Sequence, residues 1–121
     1  MNEKKYDLEE RTEKFSLNVR NLCKLLVHDI INIEYVKQLT RSAGSVAANY
    51  IEANEHLGER DLKMRIRICK KETKESRLWL KHLTISSEEQ DRERNNLVKE
   101  SFELQYIFAA ILKKLNSPIN S

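Results

Sequence analysis

The chain has 121 residues, of which 34% are charged, with a net charge of +3, two glycines and one proline. Its length suits one domain with one hydrophobic core, so we treat residues 1–121 as a single domain. No apolar run reaches the roughly 18 residues that span a bilayer, and the N-terminus lacks the apolar segment of a signal peptide. Cys23 and Cys69 lie among apolar residues without CxxC spacing and are interpreted as reduced core thiols. These features disfavour membrane and secreted classes and predict a soluble cytoplasmic protein without membrane contact.

The scarcity of glycine and proline favours long helices, and apolar residues recur at the alternating steps of four and three that mark one buried helical face. The first predicted helix covers about residues 7–28, and the second covers about residues 33–57 with Asn32 as its N-cap. Their predicted buried faces are Leu8, Thr12, Phe15, Val19, Leu22 and Leu26, and then Val36, Leu39, Ala43, Val46, Tyr50, Asn54 and Leu57.

The third predicted helix covers about residues 60–84 and follows Gly58, which suits the left-handed position after a helix end. The fourth covers about residues 88–116 and begins at a capping box formed by Ser87 and Gln90. Their predicted faces are Leu62, Ile66, Cys69, Thr73, Ser76, Leu80 and Leu83, and then Leu97, Ser101, Leu104, Phe108, Ile111 and Leu115. Four long helices with short links predict an all-α fold, an antiparallel up-down-up-down four-helix bundle.

A polar segment between residues 40 and 54 interrupts the apolar face of the second helix. Its alanines are small enough to let another backbone approach, whereas hydrogen-bonding groups buried there without partners would cost about 1 to 3 kcal/mol each. Groups that could satisfy them lie on the third helix. We therefore predict a structural polar network or subunit contact between the two helices, and a ligand site on the same face is the alternative. Its members are Arg41, Ser45, Asn49, Glu52, Glu72, Glu75 and Trp79.

Apolar residues also lie outside the predicted core faces of the third and fourth helices. They are Met64, Ile68, Leu78, Val98, Phe102 and Tyr106. A helix that is apolar on two sides is usually covered by another subunit, so this pattern favours a homo-oligomer. Scattered exposed apolar residues on a monomer are the alternative.

Two motifs, RSAGSVAANYIEA in the second helix and KETKESRLWLKHL in the third, carry a family resemblance. With them the chain resembles the small bacterial four-helix-bundle proteins known as 23S rRNA-intervening-sequence proteins. Their pattern is Arg-Ser, Ser, Asn and Glu-Ala, followed in the next helix by Lys-Glu, a second Glu and Trp-Leu. The matching positions here are Arg41, Ser42, Ser45, Asn49, Glu52, Ala53, Lys71, Glu72, Glu75, Trp79 and Leu80.

The resemblance covers most of the chain and implies a ring-shaped homopentamer. The chain is also similar to the accessory variability determinant of diversity-generating retroelements, an accessory protein that binds nucleic acid and a reverse transcriptase. This likeness implies that the candidate partners are RNA, DNA, a reverse transcriptase or another protein.

The third helix carries most of the positive charge. Residues 60–82 include nine basic and three acidic residues, a net charge of +6, whereas the rest has thirteen basic and sixteen acidic residues, a net charge of −3. Six basic residues at steps of four and three form one ridge beside the core face: Lys63, Arg67, Lys70, Lys74, Arg77 and Lys81. We predict that this ridge binds RNA, DNA or a nucleic-acid enzyme. The alternatives are a solvated face that pairs with acids of the fourth helix, and a scaffold that binds protein alone.

Catalysis has little support in the sequence. No Glu-x-x-His pair accompanies the three histidines, and no glycine-rich phosphate loop, HExxH motif or nucleophile elbow is present. A metal-dependent interpretation would have to use Glu52, His56, Glu72 and Glu75. We expect no catalytic residue, metal or cofactor. The ridge itself contains no aromatic residue on which bases could stack.

Overall fold

The computed structural model describes residues 7–117, which form four α-helices and no strand. The helices are α1 (Leu8–Leu25), α2 (Ile30–Asn54), α3 (Glu59–His82) and α4 (Glu88–Leu115). Links of four or five residues join them, and each helix packs on the next, with α4 returning to α1. The all-α four-helix bundle is confirmed for these residues. The single-domain prediction covered residues 1–121, and its two ends lie outside the described residues. In the described range, no helix is long and apolar enough to cross a membrane.

Most residues of the predicted helical faces are buried or half-buried, but Asn54 of the second face is exposed, and Leu112 of α4 is buried although the fourth predicted face did not include it. All six predicted residues of α1 are buried, and Leu39, Ile66, Leu104 and Phe108 are completely enclosed by the other helices. Burial of each large apolar side chain contributes about 1.5 to 3 kcal/mol. Some polar core residues are satisfied within their own helix, as when the hydroxyl of Thr73 donates to the carbonyl of Cys69 at 2.7 Å, and others pair between helices, as the hydroxyls of Ser42 and Ser76 do at 2.8 Å.

Both cysteines are buried free thiols, as predicted. Burial raises the pKa of Cys23 to about 11 and that of Cys69 to about 12. Because the thiolate is the nucleophile and the metal ligand, neither side chain is reactive at neutral pH.

The start of α2 differs from the prediction. Asp29 is the N-cap, and its carboxylate accepts from the backbone N–H of Asn32 at 2.8 Å. Asn32 is instead completely buried: its Nδ2 donates to the carbonyls of Val27 (2.9 Å) and Thr84 (3.0 Å), and its Oδ1 accepts from the Thr84 N–H at 2.7 Å. The two residue types cap helices equally well, so spacing alone could not choose between them. Asn32 holds the α1–α2 and α3–α4 links together at one end of the bundle.

The remaining helix ends are slightly shorter than predicted. Helix α2 ends at Asn54, and Leu57, predicted as its last buried residue, is 92% exposed. Gly58, in the link between α2 and α3, has a φ of 108°, which confirms that this position favours glycine. At the start of α4, the Ser87 hydroxyl accepts from the Gln90 N–H at 3.1 Å as predicted, but the Gln90 amide donates to the Leu25 carbonyl and does not complete the capping box.

Candidate nucleic-acid interface

The predicted ridge follows the side of α3 that borders α4, because Arg77 contacts α4 directly whereas the opposite side of α3 packs on α2. Along the middle of α3 the surface forms an open cavity of about 430 Å³. We call this cavity the basic groove. Its lining residues are Arg67, Lys70, Lys71, Lys74, Glu75 and Leu112.

Four cations surround the basic groove. The side chains of Arg67, Lys71 and Lys74 are exposed, and that of Lys70 is half-buried. Within residues 7–117, none of the four forms an ion pair, and Glu75 is the one acidic residue of the lining. From first to last they extend over seven residues of helix, about 10.5 Å along its axis. The groove therefore concentrates positive charge and hydrogen-bond donors on one part of the surface.

Lys71 is a groove residue that the predicted ridge does not include. It lies one residue after Lys70 and falls outside the alternation of four and three by which the ridge was defined. The signal that could have found it is its place in the Lys-Glu pair of the family motif.

Near the C-terminal end of the ridge, Arg77 binds α4 directly. The guanidinium of Arg77 donates to the Ser101 hydroxyl at 3.2 Å and to Gln105 Oε1 at 2.6 Å, and it lies 3.9 Å from the centre of the Phe102 ring. Burial lowers the pKa of Arg77, although the group remains charged at neutral pH. Lys81 Nζ is 6.0 Å from the same ring. An aromatic residue therefore does border the ridge, contributed by a different helix.

The solvated-face alternative expects ion pairs between the ridge and the acidic residues of α4, and none forms among residues 7–117. Lys63 forms an ion pair within its own helix, 3.7 Å from Glu59. Asp91 on α4 is 2.9 Å from Arg94 of the same helix. Between the described residues, no ion pair joins the ridge to α4.

The predicted polar network is only partly assembled within one chain. Asn49 Nδ2 donates to both the carbonyl and the hydroxyl of Ser45 at 3.0 Å, and its Oδ1 accepts from Arg65 Nη1 at 3.0 Å. Arg65 was not part of the prediction. Arg41 and Glu52 stay at the surface, where the Arg41 guanidinium contacts Gln38 at 3.3 Å.

Of the α3 members of the predicted network, Trp79 contacts α2, whereas Glu75 lines the basic groove. Glu72 is 8% exposed and Glu75 is half-buried. Trp79 is half-buried and stacks on Tyr35 of α2 with ring centres 5.9 Å apart, and His82 lies at the edge of the same pair. The Trp79 indole therefore lines the outer edge of the α2–α3 contact.

No geometry for metal binding occurs among residues 7–117, where no three His, Cys, Asp or Glu side chains are close enough to hold an ion. His56 Nδ1 instead accepts the Gly58 N–H at 3.2 Å and helps to shape the α2–α3 turn. Glu52 is exposed and Glu72 is buried, so the carboxylates of the metal-dependent interpretation do not converge.

Comparison with known proteins finds a likeness among solved structures. No family model and no curated protein matches the chain. A crystal structure from Bacteroides thetaiotaomicron, of a protein of unknown function from the S23 ribosomal protein family, superposes with a TM-score of 0.76. The two sequences are 26% identical, and the alignment covers 88% of this chain and 99% of the other. This chain thus shares its four-helix architecture with that protein over almost the whole length of both.

Proposed function

We propose that the protein is a non-catalytic, self-associating four-helix bundle that binds nucleic acid through the basic groove of α3. The observation that carries the proposal is the arrangement of Arg67, Lys70, Lys71 and Lys74, which lie together without ion pairs among the described residues. Unpaired cations close together raise the local concentration of polyanions and supply donors to phosphate oxygens. Repetition of the groove in an oligomer would multiply this effect.

Membership of the 23S rRNA-intervening-sequence family is part of the proposal. The two motifs on α2 and α3 support it, and so does the likeness to a solved protein whose family name refers to a ribosomal protein. RNA is accordingly the first ligand to test, followed by DNA. A ring-shaped homopentamer and a reverse transcriptase or other protein partner, both implied by the resemblance, belong to the same proposal.

Exposed apolar residues support self-association. Outside the core, the side chains of Phe102 and Tyr106 are 52% and 81% exposed, and Met64 and Leu78 are exposed on α3. The same surface favours a second candidate function, a scaffold that binds protein partners without nucleic acid. Nucleic-acid binding at low salt distinguishes the two.

The test compares two triple variants by fluorescence anisotropy with labelled RNA and DNA, single-stranded and double-stranded. The groove variant is Arg67→Glu, Lys71→Glu, Lys74→Glu, in which all three side chains are exposed. We expect it to bind roughly 10- to 100-fold more weakly at low salt, and to reduce the slope of log K against log salt by about three, because three phosphate contacts are lost.

The matched control reverses three exposed cations of α1: Lys14→Glu, Arg20→Glu and Lys24→Glu. Both variants change the net charge from +3 to −3, so a purely global effect of charge would weaken them equally. Equal binding by the two variants would contradict the groove assignment. Absence of wild-type binding to every probe at low salt would leave the scaffold as the function.

A further inference from the structure

Phe102 is an exposed aromatic residue of α4 that adjoins the basic surface of α3. The residue is 52% exposed, although the Arg77 guanidinium lies 3.9 Å from the centre of its ring. Lys81 Nζ lies 6.0 Å from the same centre, and this exposed lysine forms no ion pair among residues 7–117. An accessible ring beside cations is the arrangement by which proteins stack a base while they attract the backbone of a single strand.

The two cations beside the ring have different surroundings. The Arg77 guanidinium donates to the Ser101 hydroxyl and to Gln105 Oε1, so it is bound to α4 and supports one side of the ring. Lys81 is the cation that stays available for a phosphate. Because the ring already has this support, it loses little conformational freedom when a base stacks on it.

Phe102 also lines an open cavity of about 570 Å³ that extends toward Arg11 of α1. The other lining residues are Glu103, Tyr106 and Ile107. This volume is in the range of small-ligand sites, so there is room beside the ring for a base. The one acidic residue of the lining, Glu103, lies 2.7 Å from the Arg11 guanidinium, which offsets its charge toward an anionic strand.

The ring lies next to the basic groove along α3. Lys74, the last cation of the groove, precedes Arg77 by three residues, about 4.5 Å along the helix axis. A strand bound in the groove can therefore continue to Phe102. Single strands have bases that are free to stack on a protein ring, whereas the bases of a duplex are stacked on one another. The combination of groove and ring thus favours a single strand.

A second subunit is a less suitable cover for Phe102. An apolar contact over the ring would also enclose Lys81, and burial of a charge without a partner is costly. Tyr106 is 81% exposed and has no cation over its ring among the described residues, so it stays available for subunit contact. Phe102 therefore has surroundings that suit an anionic ligand.

We propose that Phe102 is a stacking site for a base of single-stranded nucleic acid, with Lys81 beside it to attract the strand. The inference rests on the proposed function and specifies its substrate class, single-stranded RNA or DNA in preference to duplex. It also assigns a binding residue to α4, outside the ridge of α3.

The experiment compares wild type, Phe102→Leu, Phe102→Trp and the matched control Tyr106→Leu, which removes an exposed ring one turn away on the same helix. Fluorescence anisotropy measures binding to a single-stranded oligonucleotide, to an abasic strand of equal length and to a duplex. The abasic strand keeps the phosphates and lacks the bases. Circular dichroism and sedimentation velocity check the folding and the molar mass of each variant.

We expect Phe102→Leu to bind the single strand about 5- to 100-fold more weakly, with the abasic strand and the duplex changed by less than about 2-fold. The slope of log K against log salt should stay unchanged, because no phosphate contact is lost. Phe102→Trp should restore single-strand affinity, since tryptophan offers a larger ring. Tyr106→Leu should bind every probe like wild type.

Wild-type affinity of Phe102→Leu for the single strand, beside weakened binding by the groove variant, would overturn the stacking site and leave the basic groove standing. An equal loss for single strand and duplex, or a change in the molar mass of Phe102→Leu, would show that the ring has another role and would contradict the inference. A loss confined to Tyr106→Leu would remove the assignment from Phe102. Absence of wild-type binding to every probe would overturn the proposed function as well.

Discussion

At the scale of single residues, sequence position predicts burial better than it predicts role. Asn32 has the residue type and location of a helix cap, yet its side chain is a buried bridge between two links of the bundle. Asp29 performs the capping. Only the tertiary structure distinguishes the two, because the deciding partner, Thr84, is 52 residues away.

Replacement of Asn32 by alanine should destabilise the bundle. The change leaves the Thr84 N–H and two carbonyls without their partners, and the expected loss is about 2 to 4 kcal/mol of unfolding free energy. Urea denaturation followed by circular dichroism measures it. The control is Asn18→Ala, at an exposed position of α1, where we expect a change within about 0.5 kcal/mol. Equal stability of the two variants would show that the Asn32 bridge contributes nothing.

At the scale of helices, the period of the apolar residues was sufficient to predict the four elements and most of their buried faces. The ends were harder, because Leu57 continues the period of α2 although the helix has already ended. The candidate site was only partly predicted, because residue spacing within one helix does not identify its partners on another helix. Spacing places Arg77 on the ridge, but it carries no information about Phe102, Ser101 and Gln105 of α4, which bind the guanidinium.

Substitutions of Arg77 and of Lys74, which are neighbours on the predicted ridge, should therefore differ in their effects on stability and on nucleic-acid binding. Arg77→Met removes two hydrogen bonds and a cation–π contact to α4, so we expect a loss of about 1 to 3 kcal/mol of stability with nearly unchanged nucleic-acid affinity. Lys74→Met removes an exposed groove cation and should weaken binding while stability changes by less than about 0.5 kcal/mol. Thermal unfolding and anisotropy on both proteins test this. The opposite pattern would identify Arg77 as the phosphate contact.

At the scale of the whole molecule, α3 separates two surfaces. One side carries the basic groove, and the other contacts α2 through Arg65 and Trp79, each of which buries a polar atom without a hydrogen-bond partner among residues 7–117. The sequence shows where the basic residues and the buried polar residues lie around the axis of α3. It does not show which neighbouring helix packs on each side, so the two surfaces could not be located from sequence alone. A chain that associates through one side of α3 keeps the other side available in every copy.

This separation predicts how assembly and binding are linked. Under the proposed self-association, a variant that dissociates the oligomer without changing a groove residue presents one groove at a time, so its affinity for a long RNA should fall by about 10²-fold or more relative to the oligomer. For an RNA too short to reach a second groove, the two proteins should bind equally. Anisotropy with RNAs of increasing length, supported by sedimentation of each protein, measures the difference. If affinity for short and long RNA fell equally in that variant, the substituted surface would contact RNA directly, and assembly and binding would not be independent.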